Sequence, residues 1–444
     1  MKEMEMLPED RRVFLKKAGA TLSATGAAAF LQQKAGANSS QALRVGVIGV
    51  GSQGKGHVSR FNGMDDVELV YICDPDMKRA GEVARDVDGV KVVSDLRRVL
   101  DDKTIDAVSI ATPDHWHAPA AIMACDAGKH VYVEKPCAHS FREAQLLLSA
   151  ARRNNRVVQH GTQQRSKRTT ADAMQMLREG IIGDVLVAKA WNVQRRGTIG
   201  REQPSDPPSD FDYDMWVGPA EFVPFQKNCH HYHWRWWHNF GSGDMGNDGV
   251  HELDYARWGL GADGIPSKVS AIGGKYFFDD DQQFPDTQTV VFEYAGTDEQ
   301  PMSKQLIFEM RLWSTNYPFN CDSGVEYYGT KGKMFISKRG KFEVYADRNQ
   351  RMKDPKPQEP APLLAENHYR DFVDAIKNDR KPQADIQIGF ESTALSTLGN
   401  LATRLGRTIT LDPNQQIVLG DEEANSMLTR TYRNGGHWAI PQGA

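Results

Sequence analysis

Three glycines set the first chemistry this chain can do: the apolar run Leu43 to Val50 passes into Gly49-Val50-Gly51-Ser52-Gln53-Gly54, a G-x-G-x-x-G pattern. After a strand, the first glycine permits a tight turn and the second lets backbone approach a pyrophosphate. The third lets the next helix pack closely, its N-terminus facing the phosphates. Twenty positions after Gly54, Asp74 closes a second apolar run, Glu68 to Cys73. A carboxylate there can bind a ribose 2′-OH and repels a 2′-phosphate, which favours NAD over NADP, although Lys78 and Arg79 follow closely. A second patch, His230-His231-Tyr232-His233-Trp234-Arg235-Trp236-Trp237-His238-Asn239-Phe240, holds four histidines and three of the nine tryptophans in eleven positions. Aromatic faces stack on sugar rings while His, Arg and Asn bind hydroxyls. The patch therefore reads first as a carbohydrate cleft, with His233, Trp234, Trp237 and His238 as contacts. An oligomer interface and a transition-metal site compete with that reading. The patch has no HxxxH pair with a distant carboxylate, so no metal is expected.

The elements that must position these residues follow from alternating patterns. Helix candidates Gly56 to Met64, Asp95 to Leu100 and Ala118 to Ala127 interleave with strand candidates Ala107 to Ala111 and His130 to Val133. That alternation predicts a doubly wound parallel sheet, a Rossmann domain over 43–162, whose ligand lies at the carboxyl ends of the strands. Two loops leave those ends, Thr112-Pro113-Asp114-His115-Trp116-His117 and Glu134-Lys135-Pro136, so Thr112, Pro113, His117, Glu134 and Lys135 are expected to touch a cofactor. Beyond a helix at Thr170 to Glu179, strands come in succession: 185–193, 268–276, 289–294, 305–313, 326–328 and 333–336. This predicts an α+β substrate domain over 163–350 with an open, largely antiparallel sheet. A Pro-rich linker (354–362) leads to helices at 367–377 and 390–404, and 411–444 reads as a tail.

GVIGVGSQG, CDPD, IATPDHWHAP and above all VYVEKP resemble the Gfo/Idh/MocA oxidoreductases, the family of glucose-fructose oxidoreductase and inositol dehydrogenase. The resemblance implies that Lys135 lies beside the nicotinamide and the substrate hydroxyl, with Pro136 shaping its loop. A lysine near a cationic ring has its charged form disfavoured, so it can help move the hydroxyl proton. The resemblance also implies a second catalytic pair, an aspartate and a histidine four residues apart. Here the positions are Asn247 and His251, which the spacing puts on one helical face. His251 is a natural general base at neutral pH. The aspartate is replaced by Asn247, which can hold a hydroxyl but cannot share a proton, while Asp248 and Asp244 stand nearby. Arg196 and Asp248, with Arg195 and the 213–216 stretch, are further cleft candidates. The late helices are implied to pack back on the first domain, and a homo-oligomer is expected through the second sheet.

Composition narrows the remaining classes. The chain has 444 residues, 40% hydrophobic and 25% charged, with a net charge of −4. It is long enough for two or three domains and carries no basic field for nucleic acid. Five scattered cysteines encode neither a disulfide framework nor a CxxC site. Arg11-Arg12, the mild apolar run Ala18 to Leu31 and Ala35-Gly36-Ala37 resemble a twin-arginine export signal over 1–37. The run is too short to span a bilayer core of about 30 Å, so cleavage and a periplasmic or otherwise exported protein without a membrane anchor are expected. Removing six basic and four acidic side chains takes the net charge from −4 to −6.

These readings predict an exported NAD-binding oxidoreductase of a sugar, cyclitol or glycoside. Free NAD is not expected outside the cytoplasm, so the cofactor must stay bound and be re-oxidised in place. The alternative is a redox-neutral glycosidase or lyase acting through transient oxidation at C3. A protein that retains dinucleotide without turnover is the third.

Overall fold

The computed structural model describes residues 42–296 and 301–444; residues 1–37, where an export signal is expected, lie outside that range. Elements run in the order β1 (Leu43–Ile48), α1 (Ser52–Asn62), β2 (Val67–Cys73), α2 (Met77–Ala84), β3 (Lys91–Val93), α3 (Arg97–Asp101), β4 (Ala107–Ile110), α4 (Asp114–Asp126), β5 (His130–Val133), α5 (Phe141–Arg153) and β6 (Val158–His160). The six strands form one parallel sheet in the order β3-β2-β1-β4-β5-β6. Order reverses between β1 and β4, the crevice where doubly wound sheets bind ligands. The strands read as unbroken apolar runs because both faces are covered. Val45, Val47 and Ile72 on the strands and Val58 and Phe61 on α1 are buried in one layer.

Helix α4 starts at Asp114 rather than at the expected Ala118. Pro119 inside it cannot donate an N–H to the carbonyl of His115. Arg430 Nη2 takes that oxygen instead, at 2.8 Å, and the helix tolerates the proline.

The chain continues through α6 (Arg168–Arg178), β7 (Val185–Asn192), α7 (Tyr213–Val217), α8 (Val250–Leu260), β8 (Lys268–Gly274), β9 (Thr287–Tyr294), β10 (Lys304–Arg311), β11 (Ser323–Gly329), β12 (Gly332–Ser337) and β13 (Phe342–Ala346). It ends with α9 (His368–Lys377), α10 (Ile386–Leu405), β14 (Ile409–Asp412), β15 (Ile417–Val418) and α11 (Glu422–Ser426). The second sheet has nine strands in the order β13-β12-β11-β7-β10-β9-β8-β14-β15, and only the β7–β10 pair is parallel. Both expected sheets are present. The 411–444 region differs from a simple tail: β14 and β15 extend the sheet, and Trp438 packs on Trp116 with ring centroids 5.7 Å apart. On α9, Tyr369, Phe372 and Val373 join the core of the first sheet. Among the described residues no helix is long and apolar enough to cross a membrane.

Candidate active site

A cavity of about 800 Å³ opens at the carboxyl ends of β1, β2, β4 and β5 and is closed on its far side by the second domain. One end is the glycine turn. Gly49 has φ +81°, and a Cβ there would lie 2.6 Å from the Thr112 amide nitrogen; a Cβ on Gly54 would meet the Gly49 carbonyl oxygen at 1.9 Å. Only glycine allows that approach. Helix α1 begins with no side-chain cap at Gly51, so its first N–H groups are free for an anion. Val50 N–H donates to Asp74 Oδ2 at 2.8 Å and Asp76 N–H to Oδ1 at 2.9 Å. Asp74 thus braces the turn as well as lining the cavity, and burial pushes its carboxyl above the usual range against those two amides. Gly49, Gly51, Ser52, Gln53, Asp74, Thr112, Pro113, Glu134 and Lys135 all line this space, while Gly54 sits behind it as a packing residue. An uncapped helix end, a glycine cradle and a carboxylate at the end of β2 fit a dinucleotide: the turn would hold its pyrophosphate and Asp74 its adenosine ribose.

Glu134 is buried at the centre of a polar network. Its Oε1 accepts from Gln53 Nε2 at 3.0 Å and Gln163 Nε2 at 3.1 Å, and lies 3.2 Å from His57 Nε2. Burial alone would raise this carboxyl, but the hydrogen bond and charge of His57, then the charge of Lys135, hold it well below the carboxylate range. His117 also lines the cavity, yet its two ring nitrogens sit 2.6 Å from the Pro136 oxygen and 2.9 Å from the Thr112 oxygen. It therefore ties the two loops together and has neither nitrogen left for a ligand.

At the other end Lys135 meets the second domain. The segment carrying Asn247 is not the regular α-helix that a four-residue spacing assumes: Met245–Gly249 form a π-turn that leads into α8. Such wide turns often occur at functional sites. Lys135 Nζ donates to the backbone oxygen of Asn247, and Arg235 Nε donates to Asn247 Oδ1 at 3.0 Å. Burial lowers the Lys135 ammonium from its ordinary value, while Asp248 and Glu134 oppose that fall. His251 lines the same end, with its Nδ1 buried and without a hydrogen-bond partner. Burial, then Lys338 and Lys135, push its imidazolium well below the usual value, leaving a neutral ring. Burial would raise the Asp248 carboxyl, but the charges of Lys338, Lys135 and Arg196 hold it ionised.

The aromatic patch divides. Trp234 lines the cavity with Tyr232, His231 and Arg235. Trp237 does not: its ring is buried in a satellite core with Phe211, Trp216 and Phe240, its Nε1 donating to the Asn228 oxygen at 3.2 Å. His238 packs on Phe284, centroids 4.4 Å apart, beside a different crevice. His233 packs on Trp236 with ring centroids 5.8 Å apart and the rings tilted by 44°, and it is outside the cavity lining. Arg196 also stands behind the lining, in an ion pair with Asp244 at 2.6 Å and another with Asp248. The short 3₁₀ turn His233–Trp236 sends successive side chains in different directions, so a run of like residues does not share one face. Sequence reading passed over Gln163, Lys338 and Asp114. The first two have no motif, and Asp114 stood in the IATPDHWHAP string as a loop residue.

Residues 43–162 match the oxidoreductase family with an NAD-binding Rossmann fold, and residues 187–440 match the C-terminal alpha/beta domain of the same family. Levoglucosan dehydrogenase from Pseudarthrobacter phenanthrenivorans is 32% identical over 230 residues, 50% of this chain and 52% of that protein. An α-N-acetylgalactosaminidase from Shewanella oneidensis is 35% identical over 159 residues, 34% of this chain and 35% of the other. The match thus spans about half or less of the length of these relatives. A solved levoglucosan dehydrogenase with NADH superposes at TM-score 0.63 and 22% identity, over 84% of this chain and all of that one, a likeness of fold. Family matches across both halves, and a glycine cradle built for a dinucleotide, lead to one statement: the chain belongs to the Gfo/Idh/MocA family of NAD-binding oxidoreductases.

Proposed function

We propose that this protein oxidises, and in reverse reduces, a ring carbinol of a sugar, cyclitol or glycoside with a tightly held NAD. The observation that carries the reading is the meeting of Lys135 with Asn247, Asp248 and His251 at the end of the cavity opposite the glycine turn. When bound, NAD supplies a nicotinamide ring that exchanges hydride with the carbinol carbon. Lys135, eased toward its neutral amine by burial, takes the hydroxyl proton as the C–H bond breaks and returns it in reduction. His251, a neutral imidazole, hydrogen-bonds the same or the adjacent hydroxyl. Asn247 anchors Lys135 through its main chain, and Trp234 offers an aromatic face to the ring.

A second reading is a redox-neutral glycosidase or lyase. It is favoured by the match to the Shewanella oneidensis α-N-acetylgalactosaminidase. In that cycle oxidation at C3 acidifies the neighbouring C–H, the aglycone is eliminated, and the hydride returns. Incubating purified protein with glycosides and no added NAD separates the two. Keto-sugar formation that needs an external acceptor supports the oxidoreductase, aglycone release without an acceptor supports the second reading, and neither product under any cofactor condition refutes both.

We further propose export by the twin-arginine route, supported by the order of Arg11-Arg12, apolar run and Ala35-Gly36-Ala37; an R11K/R12K variant that is still exported and cleaved refutes it. A homo-oligomer through the nine-stranded sheet is proposed from the apolar side chains it leaves exposed, Ile272 at 70% and Tyr328 at 38%. Sedimentation of the monomer alone at micromolar concentration refutes it.

A further inference from the structure

Cations crowd the substrate end of the cavity, and they are not all matched by acids. Arg196 is paired with Asp244 and Asp248, and Lys338 with Asp248 at 3.3 Å. Lys135 and Arg235 line the cavity itself, and among the described residues neither has a carboxylate within ion-pair distance. Both are instead held by neutral oxygens: Lys135 by the Asn247 backbone, and Arg235 by Asn247 Oδ1 at 3.0 Å and the Tyr232 backbone oxygen at 2.7 Å.

The acids that face them are engaged elsewhere. Glu134 is taken by Gln53, Gln163 and His57. Asp114 accepts from the Ser242 hydroxyl at 2.5 Å, and burial disfavours its charge. Asp248 is spent on Arg196 and Lys338.

Arg235 is also rigid. Its guanidinium packs on two rings, 4.3 Å from the centroid of Tyr232 and 4.4 Å from that of Trp234. With Nε and Nη1 tied to protein oxygens, Nη2 has no hydrogen-bond partner among the described residues. Desolvating a cation without an anion is costly, and a planar guanidinium held flat presents a fork that suits a planar carboxylate. An aspartate at position 247 would set one negative charge against Arg235; asparagine holds the guanidinium in place and leaves its positive charge for the ligand.

We propose that the substrate is an anionic carbohydrate, a sugar acid whose carboxylate is bound by Arg235 beside Lys135. This rests on the carbohydrate reading above and names the class within it. A carboxylate there also fixes which ring carbon faces the nicotinamide side of the cavity, because the arginine cannot swing.

Calorimetric titration of the NAD-saturated full chain tests this with D-glucuronate and D-galacturonate, the neutral D-glucose and D-galactose, and glucose 6-phosphate. An acid is expected to bind about tenfold or more tightly than its neutral counterpart, the range for a hydrogen bond to a charged group. Arg235→Gln is expected to erase that ratio while NADH affinity and thermal midpoint stay within the wild-type range, and Arg235→Lys to restore part of it. Equal binding of acid and neutral sugar, or a ratio that survives Arg235→Gln, overturns the proposal. Preference for the phosphate ester over both uronates overturns the carboxylate assignment. If neutral sugars bind and reduce NAD while acids gain nothing, the carbohydrate reading stands without this one; if no sugar binds, both fall.

Discussion

Lys135 Nζ donates a hydrogen bond to the backbone oxygen of Asn247, a residue 112 positions away on the other domain. The contact joins the loop after β5 to the π-turn before α8, so the two halves of the candidate chemistry are locked across the domain boundary. A side chain at 247 is not needed for that bond. Asparagine, where the family resemblance implies an aspartate, therefore changes the charge of the site while leaving the placement of Lys135 to the main chain.

Replacing the amine tests its part directly. Lys135→Ala is expected to lower kcat by about 10²- to 10⁴-fold, the usual contribution of a positioned proton carrier, with NADH affinity altered far less. Stopped-flow NADH formation and fluorescence titration separate the two quantities; a fall confined to NADH affinity refutes the role.

The pH profile should follow the same residue. Burial lowers Lys135 from the ordinary 10.5, so kcat/KM is expected to rise with pH along a limb that lies below that value and disappears in Lys135→Ala. Since the folded chain binds this proton less readily than the unfolded one, the group's effect on stability improves as pH rises through the lowered pKa. Asn247→Asp puts a carboxylate beside both cations and is expected to move the limb to higher pH.

Glu252, the residue after His251, supplies a second titration. It is fully buried on α8 with both carboxyl oxygens lacking a hydrogen-bond partner of good geometry. Burial lifts its carboxyl from 4.5 to about 7, against the pull of Lys338. The folded chain then holds a proton that the unfolded chain gives up, so stability is lost as pH rises from 4.5 to about 7. Glu252→Gln is expected to be near neutral at acid pH and stabilising at alkaline pH, by at most about 3 kcal/mol. Urea unfolding at both ends of the range checks it.

The glycine turn offers a steric test. In Gly54→Ala the new methyl would stand 1.9 Å from the Gly49 carbonyl oxygen, forcing α1 away from β1. A loss of NADH binding of at least about tenfold is expected, with a stability cost of about 1–3 kcal/mol. Fluorescence titration together with thermal melting gives both numbers.

How far the sequence reached can be seen residue by residue. Alternating apolar runs and the spacing from Gly49 to Asp74 specified the parallel sheet and its ligand end, because backbone conformation at a glycine and the burial of a strand on both faces are local demands. The Lys135 position followed from a short motif at the end of β5 for the same reason. Distant partners decided the rest. Trp234 and Trp237 both enter the core formed with Phe211 and Phe240, and only Trp234, inside the 3₁₀ turn, also lines the cavity. His117 became a brace because two carbonyls stand at its nitrogens. The unmatched charge of Arg235 exists only because the nearby carboxylates are already engaged, Asp114 by Ser242 and Asp244 and Asp248 by Arg196 and Lys338. Spacing along the chain conveys dihedral preference and periodicity, while pairing of charges depends on three-dimensional proximity.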